Sequence, residues 1–84
     1  MMALLVRVEF YTLAAIQAEG FGECDTFDAE QIYYGGGDIT EARHCRVLRS
    51  LARKGYLKQE KRNCYTLLPG AYAQAAQQAA QFAR

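Results

Sequence analysis

The stretch Glu41–Lys58, "EARHCRVLRSLARKGYLK", decides the fold because it reads as one two-sided helix with a clear end. When successive residues are placed about 100° apart, apolar and basic side chains separate onto opposite arcs. Gly55 is expected to end the helix, since glycine favours the position just after a helix and cations favour the last turn. The stretch therefore predicts a helix over residues 40–54, capped by Asp38 or Thr40. Its core-facing arc consists of Val47, Leu51, His44, Leu48, Ala52, Cys45 and Glu41.

The outer arc of this helix is basic and free of acids. A solvated structural helix usually mixes charges of both signs, because opposite charges three or four residues apart stabilise it. Here like charges repel each other at that spacing. An anion such as nucleic acid is one explanation, and an ordinary water-facing basic surface is the other. The arc consists of Arg43, Arg46, Arg49, Ser50, Arg53 and Lys54, interrupted only by Ala42.

Upstream of the basic helix, the chain predicts two further helices. Residues 4–19 show a helical period that Gly20 would end, although the opening "ALLVRVEF" also has the partly alternating pattern of a strand. Residues 20–27 are expected to form a loop or a very short strand. A short helix over residues 28–34 follows, and the three glycines after it would permit a sharp reversal.

Downstream of Gly55, the sequence predicts a β-hairpin over residues 56–68, whose halves flank the polar turn "EKRN". Cations and an amide cluster near its tip, where they could reach a phosphate: Lys58, Lys61, Arg62 and Asn63. The Ala- and Gln-rich tail predicts a helix over residues 70–82, with Pro69 at or just before its first turn. A short helix, a tight turn and a longer helix together make a helix-turn-helix.

The segment "FDAEQIYYGGGDITEARHCRVLRSLARKGYLKQEKRNCYTLLPGAYAQA" resembles the winged helix-turn-helix domain of small prokaryotic transcription regulators. The likeness lies in the short "AEQI" helix, the "R-x-L-x-x-L-x-x-x-G-Y-L" helix and the returning "Y-T-L-L-P-G". It covers about residues 26–76. The turn "YYGGGDIT" departs from the small-residue, polar turn usual in that family.

The resemblance implies one winged-helix domain over residues 1–84. Its fold would be α+β and mainly α, with three helices, a two-stranded wing hairpin and a C-terminal helix. In that family the recognition helix contacts bases in the major groove, and the wing contacts the backbone or minor groove. By resemblance Arg43, Arg46, Ser50 and Arg53 would take groove roles, and Lys58, Lys61 and Arg62 would contact phosphates. Arg49 and Lys54, on the same basic arc, complete the candidate DNA-binding set.

The charges of the chain are divided between its two halves. Residues 1–39 contain one arginine and seven acids, a balance of −6, whereas residues 40–62 contain eight cations and two acids, a balance of +6. This division indicates an anionic partner for the basic half. Taken with the basic arc and hairpin tip, it leads us to expect a DNA-binding protein, and the resemblance implies a sequence-specific, double-stranded DNA-binding protein that acts as a small transcriptional regulator of prokaryotic or phage type. The alternative is a protein-binding winged helix that uses its acidic half. Such a protein would be a phage-encoded inhibitor (anti-CRISPR type) or an adaptor acting on a host nucleoprotein complex.

Other functional classes find little support in the sequence. The cysteines Cys24, Cys45 and Cys64 are spaced unlike a zinc site or a disulfide framework, so free thiols are expected, with redox sensing or metal binding as the alternative. The glycine run lacks the Lys-Ser/Thr of a phosphate loop. No catalytic constellation is evident, so we expect no enzyme, no cofactor and no metal. The chain shows no membrane-length apolar stretch and no signal peptide, and a cytoplasmic protein is expected.

The sequence also predicts where several individual side chains lie. His44 lies on the apolar arc and is expected to be a hydrogen-bonded core residue. The C-terminal helix could pack against helix one of its own chain or against a twofold mate, giving a homodimer. Its glutamines Gln74, Gln77, Gln78 and Gln81 are expected to face water. Core packing is predicted for the aromatic and aliphatic residues Tyr56, Leu57, Tyr65 and Leu67.

Overall fold

The computed structural model describes residues 4–32 and 41–82. Within these residues the protein has an α+β fold with three α-helices and one antiparallel sheet, so the predicted fold class is confirmed at this level. The elements in chain order are α1 (Arg7–Ala18), β1 (Thr26–Asp28), a 3₁₀ turn (Ala29–Gln31), α2 (Glu41–Arg53), β2 (Leu57–Lys61), β3 (Cys64–Leu67) and α3 (Ala71–Phe82).

The helix α2 ends as its sequence predicts. Gly55 has a φ of +94°, a conformation that costs glycine little and side-chain-bearing residues more. The Gly55 N–H bonds to the Ala52 carbonyl at 3.2 Å, and the Tyr56 N–H bonds to the Leu51 carbonyl at 3.0 Å. This pair of bonds is the Schellman motif, which reverses the chain and directs the buried Tyr56 beneath the helix.

The helix α1 is shorter than predicted, and a carboxylate lies on its buried face. It begins at Arg7 rather than residue 4, because Val6 is in an extended conformation with φ −96° and ψ 167°. Gly20 ends it with a second Schellman motif, as expected. The buried residues are Glu9, Thr12, Leu13 and Ile16, whereas Tyr11 is 63% exposed. A carboxylate therefore occupies the face that packs on the core.

The sheet has three strands rather than the two expected, because β1 pairs with the predicted hairpin. The strand order is β1-β3-β2, all antiparallel. Phe27 of β1 pairs with Tyr65 of β3, and their rings lie 6.2 Å apart. β1 is only three residues long, and pairing with a strand nearly forty residues later gives it a place in the sheet. The hairpin itself is confirmed, with a bulge between Gln59 and Lys61 and a turn at Arg62 and Asn63.

The predicted helix over residues 28–34 is replaced, as far as residue 32, by a strand end and a single 3₁₀ turn. Asp28 belongs to β1, and its N–H bonds to the Gln31 side chain at 2.7 Å, which closes the turn Ala29–Gln31. Ile32 is already extended. Residues 33–40 lie outside the described residues. They include Tyr33, Tyr34, the three glycines at 35–37 and the predicted capping residues Asp38 and Thr40.

The helix α3 packs against α1 of the same chain, the first of the two arrangements expected. Gln78 is buried, not wet as expected: its side-chain oxygen accepts from the Leu5 N–H at 2.8 Å, and its Nε2 donates to the Tyr56 hydroxyl at 2.6 Å. The core draws on every element, and its largest buried residues are Tyr56, Tyr65, Phe27, Leu13, Ile16, Leu48, Leu51, Leu57 and Leu67. In the part of the chain described, every helix is too short or too polar to cross a bilayer.

Candidate nucleic-acid interface

Four arginines of α2 border one open groove. Arg43, Arg46, Arg49 and Arg53 are all exposed, and they line a groove of about 780 Å³. The start of α1 lines the groove with them, through Val6 and Val8. The angular spacing in the sequence placed these arginines on one side of the helix, and the structure brings all four to one surface. The sequence did not indicate the apolar contribution of α1.

A buried carboxylate lies beside this groove. Glu9 is 1% exposed and accepts three hydrogen bonds. Its Oε1 accepts from the Val6 N–H at 2.8 Å and from Lys54 Nζ at 2.6 Å, and its Oε2 accepts from the Ser50 hydroxyl at 2.7 Å. A buried charge is tolerated when it is paired and hydrogen-bonded in this way. Glu9 thus joins the first turn of α1 to the C-terminal half of α2.

Together, the hydrogen bonds to Glu9 affect the pKa of its carboxyl more than burial does. Burial by itself raises the pKa of the Glu9 carboxyl, but Lys54, the Val6 N–H and Ser50 together hold that pKa below its ordinary value. Glu9 is therefore ionised at neutral pH, and its charge compensates that of Lys54.

Two residues of the candidate DNA-binding set are consequently engaged inside the molecule. Ser50 and Lys54 are half-buried, and both donate to Glu9. Sequence reasoning placed them on the outer arc because a helical wheel contains only one helix. The position of α1 over that side of α2 shows why their polar atoms point inward.

The sheet-facing edge of the arginine surface is formed by Arg49. Burial raises the pKa of the Tyr65 hydroxyl, the neighbouring Cys45 raises it further, and the charge of Arg49 lowers it. Arg49 thus lies close enough to Tyr65 to act on it electrostatically. Among the described residues no carboxylate pairs with Arg46, Arg49 or Arg53.

The hairpin cations do not all face the same way. Lys58 pairs in register with Thr66, which pairs with Thr26, and the two threonine hydroxyls lie 2.8 Å apart on the outer side of the sheet. Successive strand residues point to opposite faces, and the buried Tyr65 points to the core. Lys58 therefore projects from the face opposite α2, where its nitrogen is 4.0 Å from Glu60. The structure separates it from the arginines.

The hairpin turn, by contrast, lies next to α2. Arg62 and Asn63 border a hollow of about 350 Å³ together with Cys45. The Cys45 thiol is 3.7 Å from the Asn63 side-chain oxygen, and the Asn63 carbonyl accepts from the Ala29 N–H at 2.8 Å. Arg62 and the neighbouring Lys61 are both exposed. These two cations are the members of the predicted wing set that lie at the turn.

The expected role of His44 is confirmed. It is buried, and its Nε2 lies 2.7 Å from the Ala29 carbonyl oxygen. Because a carbonyl only accepts, Nε2 carries the proton in this bond. Cys24 is exposed, Cys45 half-buried and Cys64 buried, and all three are free thiols. Within residues 4–32 and 41–82, no group of three or more metal-ligating side chains comes together.

A second set of exposed charges, which we name the acidic surface, consists of the carboxylates of residues 19–30. Two of them, Asp28 and Glu30, line the same hollow as Arg62. Between residues 19 and 30 the exposed side chains include five carboxylates and no cation: Glu19, Glu23, Asp25, Asp28 and Glu30. Two of them also bind the backbone, since Glu23 accepts from the Gly70 N–H and Asp25 from the Gly22 N–H. Glu9 contributes nothing to this surface because it is buried.

Comparisons of the chain with protein-family models, with curated proteins and with solved structures found no match.

Proposed function

We propose that this protein binds double-stranded DNA as a small winged helix-turn-helix transcription regulator, with α2 as its recognition helix. The observation that carries the proposal is the arginine stripe, which we define as Arg46, Arg49 and Arg53. These three exposed guanidinium groups follow one side of one helix, and no described carboxylate neutralises them. An α-helix fits the major groove of B-DNA, and arginine is the side chain that binds phosphate and guanine best.

Two further features support this function. The hairpin turn lies beside α2, since Arg62 and Cys45 line one hollow, and this supports phosphate contacts by Lys61 and Arg62 at the border of an occupied groove. The order of helix, strand, helical turn, helix and hairpin is also compatible with a winged helix-turn-helix. Lys58, on the opposite sheet face, and Ser50 and Lys54, which bind Glu9, are given no DNA contact in this proposal.

The test is a binding titration of the purified protein with a labelled duplex, followed by fluorescence anisotropy over a range of salt concentrations. Each phosphate contact should add about 0.9 to the slope of log K against log salt. Replacing both Arg46 and Arg53 by alanine should reduce both the affinity and this slope. Arg7→Ala is the matched control, because it removes an exposed arginine from the start of α1.

Two results would contradict the proposal. One is the absence of duplex binding at low salt and micromolar protein. The other is an equal loss of binding free energy per arginine removed in the Arg46/Arg53 variant and in the Arg7 control, which would indicate attraction by overall charge rather than by α2. The proposal also includes a homodimer, because the twofold symmetry of a dimer matches a palindromic site. The outer face of α3, which presents Ala73, Ala76 and Ala80, would form its interface. Sedimentation with and without duplex measures it.

A second candidate function is supported by the acidic surface over residues 19–30. Five exposed carboxylates without an intervening cation could occupy a nucleic-acid-binding groove of another protein, as an inhibitor of anti-CRISPR type or an adaptor would. This function would be favoured by a stoichiometric complex with another protein that survives nuclease treatment and is lost when Glu19 and Glu30 are replaced by lysine. Retention of the complex in that variant would exclude this surface.

A further inference from the structure

The arginine stripe presents a single kind of hydrogen-bonding group. From Arg43 to Arg53, the exposed positions of α2 carry arginine and no asparagine, glutamine, aspartate or glutamate. Residues 46, 49 and 53 fall within an arc of about 60° when each residue advances about 100°. The centre of the surface that α2 offers to a partner is thus three planar forks, each with two parallel N–H donors.

The contacts of Glu9 make this set more selective. Without Glu9, Ser50 would add a hydroxyl and Lys54 a flexible ammonium on the α1 side of the stripe. A hydroxyl can hydrogen-bond to guanine or to adenine, so it discriminates poorly between them. Both side chains donate to Glu9 instead, at 2.7 and 2.6 Å. The buried carboxylate therefore holds the less discriminating donors inside the protein and leaves arginine at the surface.

Guanine is the base that matches such a fork. In the major groove it offers two adjacent acceptors, O6 and N7, whereas adenine pairs an acceptor with a donor and is read best by asparagine or glutamine. Residues 46 and 53 are separated by about 10.5 Å along the helix axis, at 1.5 Å per residue. That distance corresponds to about three base-pair steps of 3.4 Å.

We infer that α2 reads guanines in the major groove, over a target of about three to four base pairs rich in G·C. This inference depends on the proposed function and specifies the base class that the same site selects. The competing hypothesis is that the arginines insert into the narrow minor groove of A-tracts, which would favour target sites rich in A·T base pairs. Arginines that do so commonly lie on extended arms. The arginine stripe lies on a packed helix, which fits the major groove.

The experiment is a competitive selection of duplexes that share fixed flanks and carry a short random centre. We expect the recovered centres to be enriched in guanine on one strand over about three to four positions. The best duplex is then compared by anisotropy with a copy whose guanines are replaced by 7-deazaguanine. This analogue keeps the base pair and O6 but lacks N7. A loss of affinity of about fivefold or more is expected, with an unchanged salt slope.

A variant pair adds a second measurement. Arg46→Ala should weaken binding to the selected duplex more than to an A·T-centred duplex, whereas Arg7→Ala should weaken both equally. Enrichment of A·T, or indifference to 7-deazaguanine, would overturn guanine reading. Steep salt dependence with no base preference would also overturn it but leave DNA binding intact. The absence of binding to any duplex would overturn both proposals.

Discussion

The two sides of the exposed face of α2 carry similar charges but use them differently. On the side next to α1, Lys54 is one quarter exposed and ends 2.6 Å from a buried carboxylate. On the centre and sheet side, Arg46, Arg53 and Arg49 are exposed without a described acidic partner. A basic residue on a helix surface can thus stabilise the fold or remain available to a partner. The neighbouring helix decides between these roles.

Charge reversal in the arginine stripe should have the largest effect. Replacing Arg46 and Arg53 by glutamate puts two negative charges in the path of DNA phosphates. We expect affinity for duplex DNA to fall by about 100-fold or more. The melting temperature should stay the same or rise slightly, because the repulsion among the arginines is relieved. Anisotropy and thermal unfolding measure the two quantities, and a large drop in melting temperature would contradict the distinction between the two sides.

Removal of the buried carboxylate should instead lower the stability of the fold. Glu9→Ala deletes three hydrogen bonds and leaves Lys54 without its partner, so we expect a loss of about 3 kcal/mol in the free energy of unfolding. For a domain of this size that loss lowers the melting temperature by roughly 10–20 °C. Glu60→Ala, at a more exposed carboxylate, is the control and should change stability by at most about 0.5 kcal/mol. Equal melting temperatures for the two variants would show that Glu9 does not hold α1 on α2.

The same carboxylate should make stability depend on acid. Because its native pKa lies below the ordinary value, Glu9 contributes stability above the ordinary glutamate pKa of about 4.3. That contribution is lost as the pH falls through the lower native value. The stability difference between the wild type and Glu9→Gln should therefore shrink as the pH falls from neutral into this range, as measured by denaturant unfolding at each pH. A difference that stays constant with pH would argue against ionised Glu9 as the cause.

The smallest expected effect is at Ser50. Ser50→Ala removes one of the three donors to Glu9, while Lys54 and the Val6 N–H remain, so we expect a loss of about 1 kcal/mol. DNA affinity should be unchanged, because the hydroxyl already binds inside the protein. A weaker complex with undisturbed stability would instead place Ser50 at the DNA.

Local sequence patterns predicted much of this fold, but they could not predict which distant segments pair with each other. The end of α2 follows from Gly55, and the turn of the hairpin falls within "EKRN". β1 was expected only as a loop or very short strand, because three residues are too few to show alternation. Its membership of the sheet depends on hydrogen bonds to β3, which no local signal encodes.

The candidate site shows the same limit. The wheel correctly grouped the arginines, but it could not show which cations α1 would engage. A signal for Glu9 existed: it lies on one helical face with Leu13 and Ile16, so its carboxylate had to be buried with a partner. The sequence could not name that partner, since Ser50 and Lys54 are more than forty positions away.

The hydrogen bond from Leu5 to Gln78 joins residues 73 positions apart. Closing a loop of that length costs more conformational entropy than closing the hairpin or the helices, so this bond is expected to form late in folding. The hairpin and α2, whose contacts are local, can form before it. Because Gln78 also binds Tyr56, which follows the end of α2, this late bond is expected to complete the packing around the helix that carries the arginine stripe.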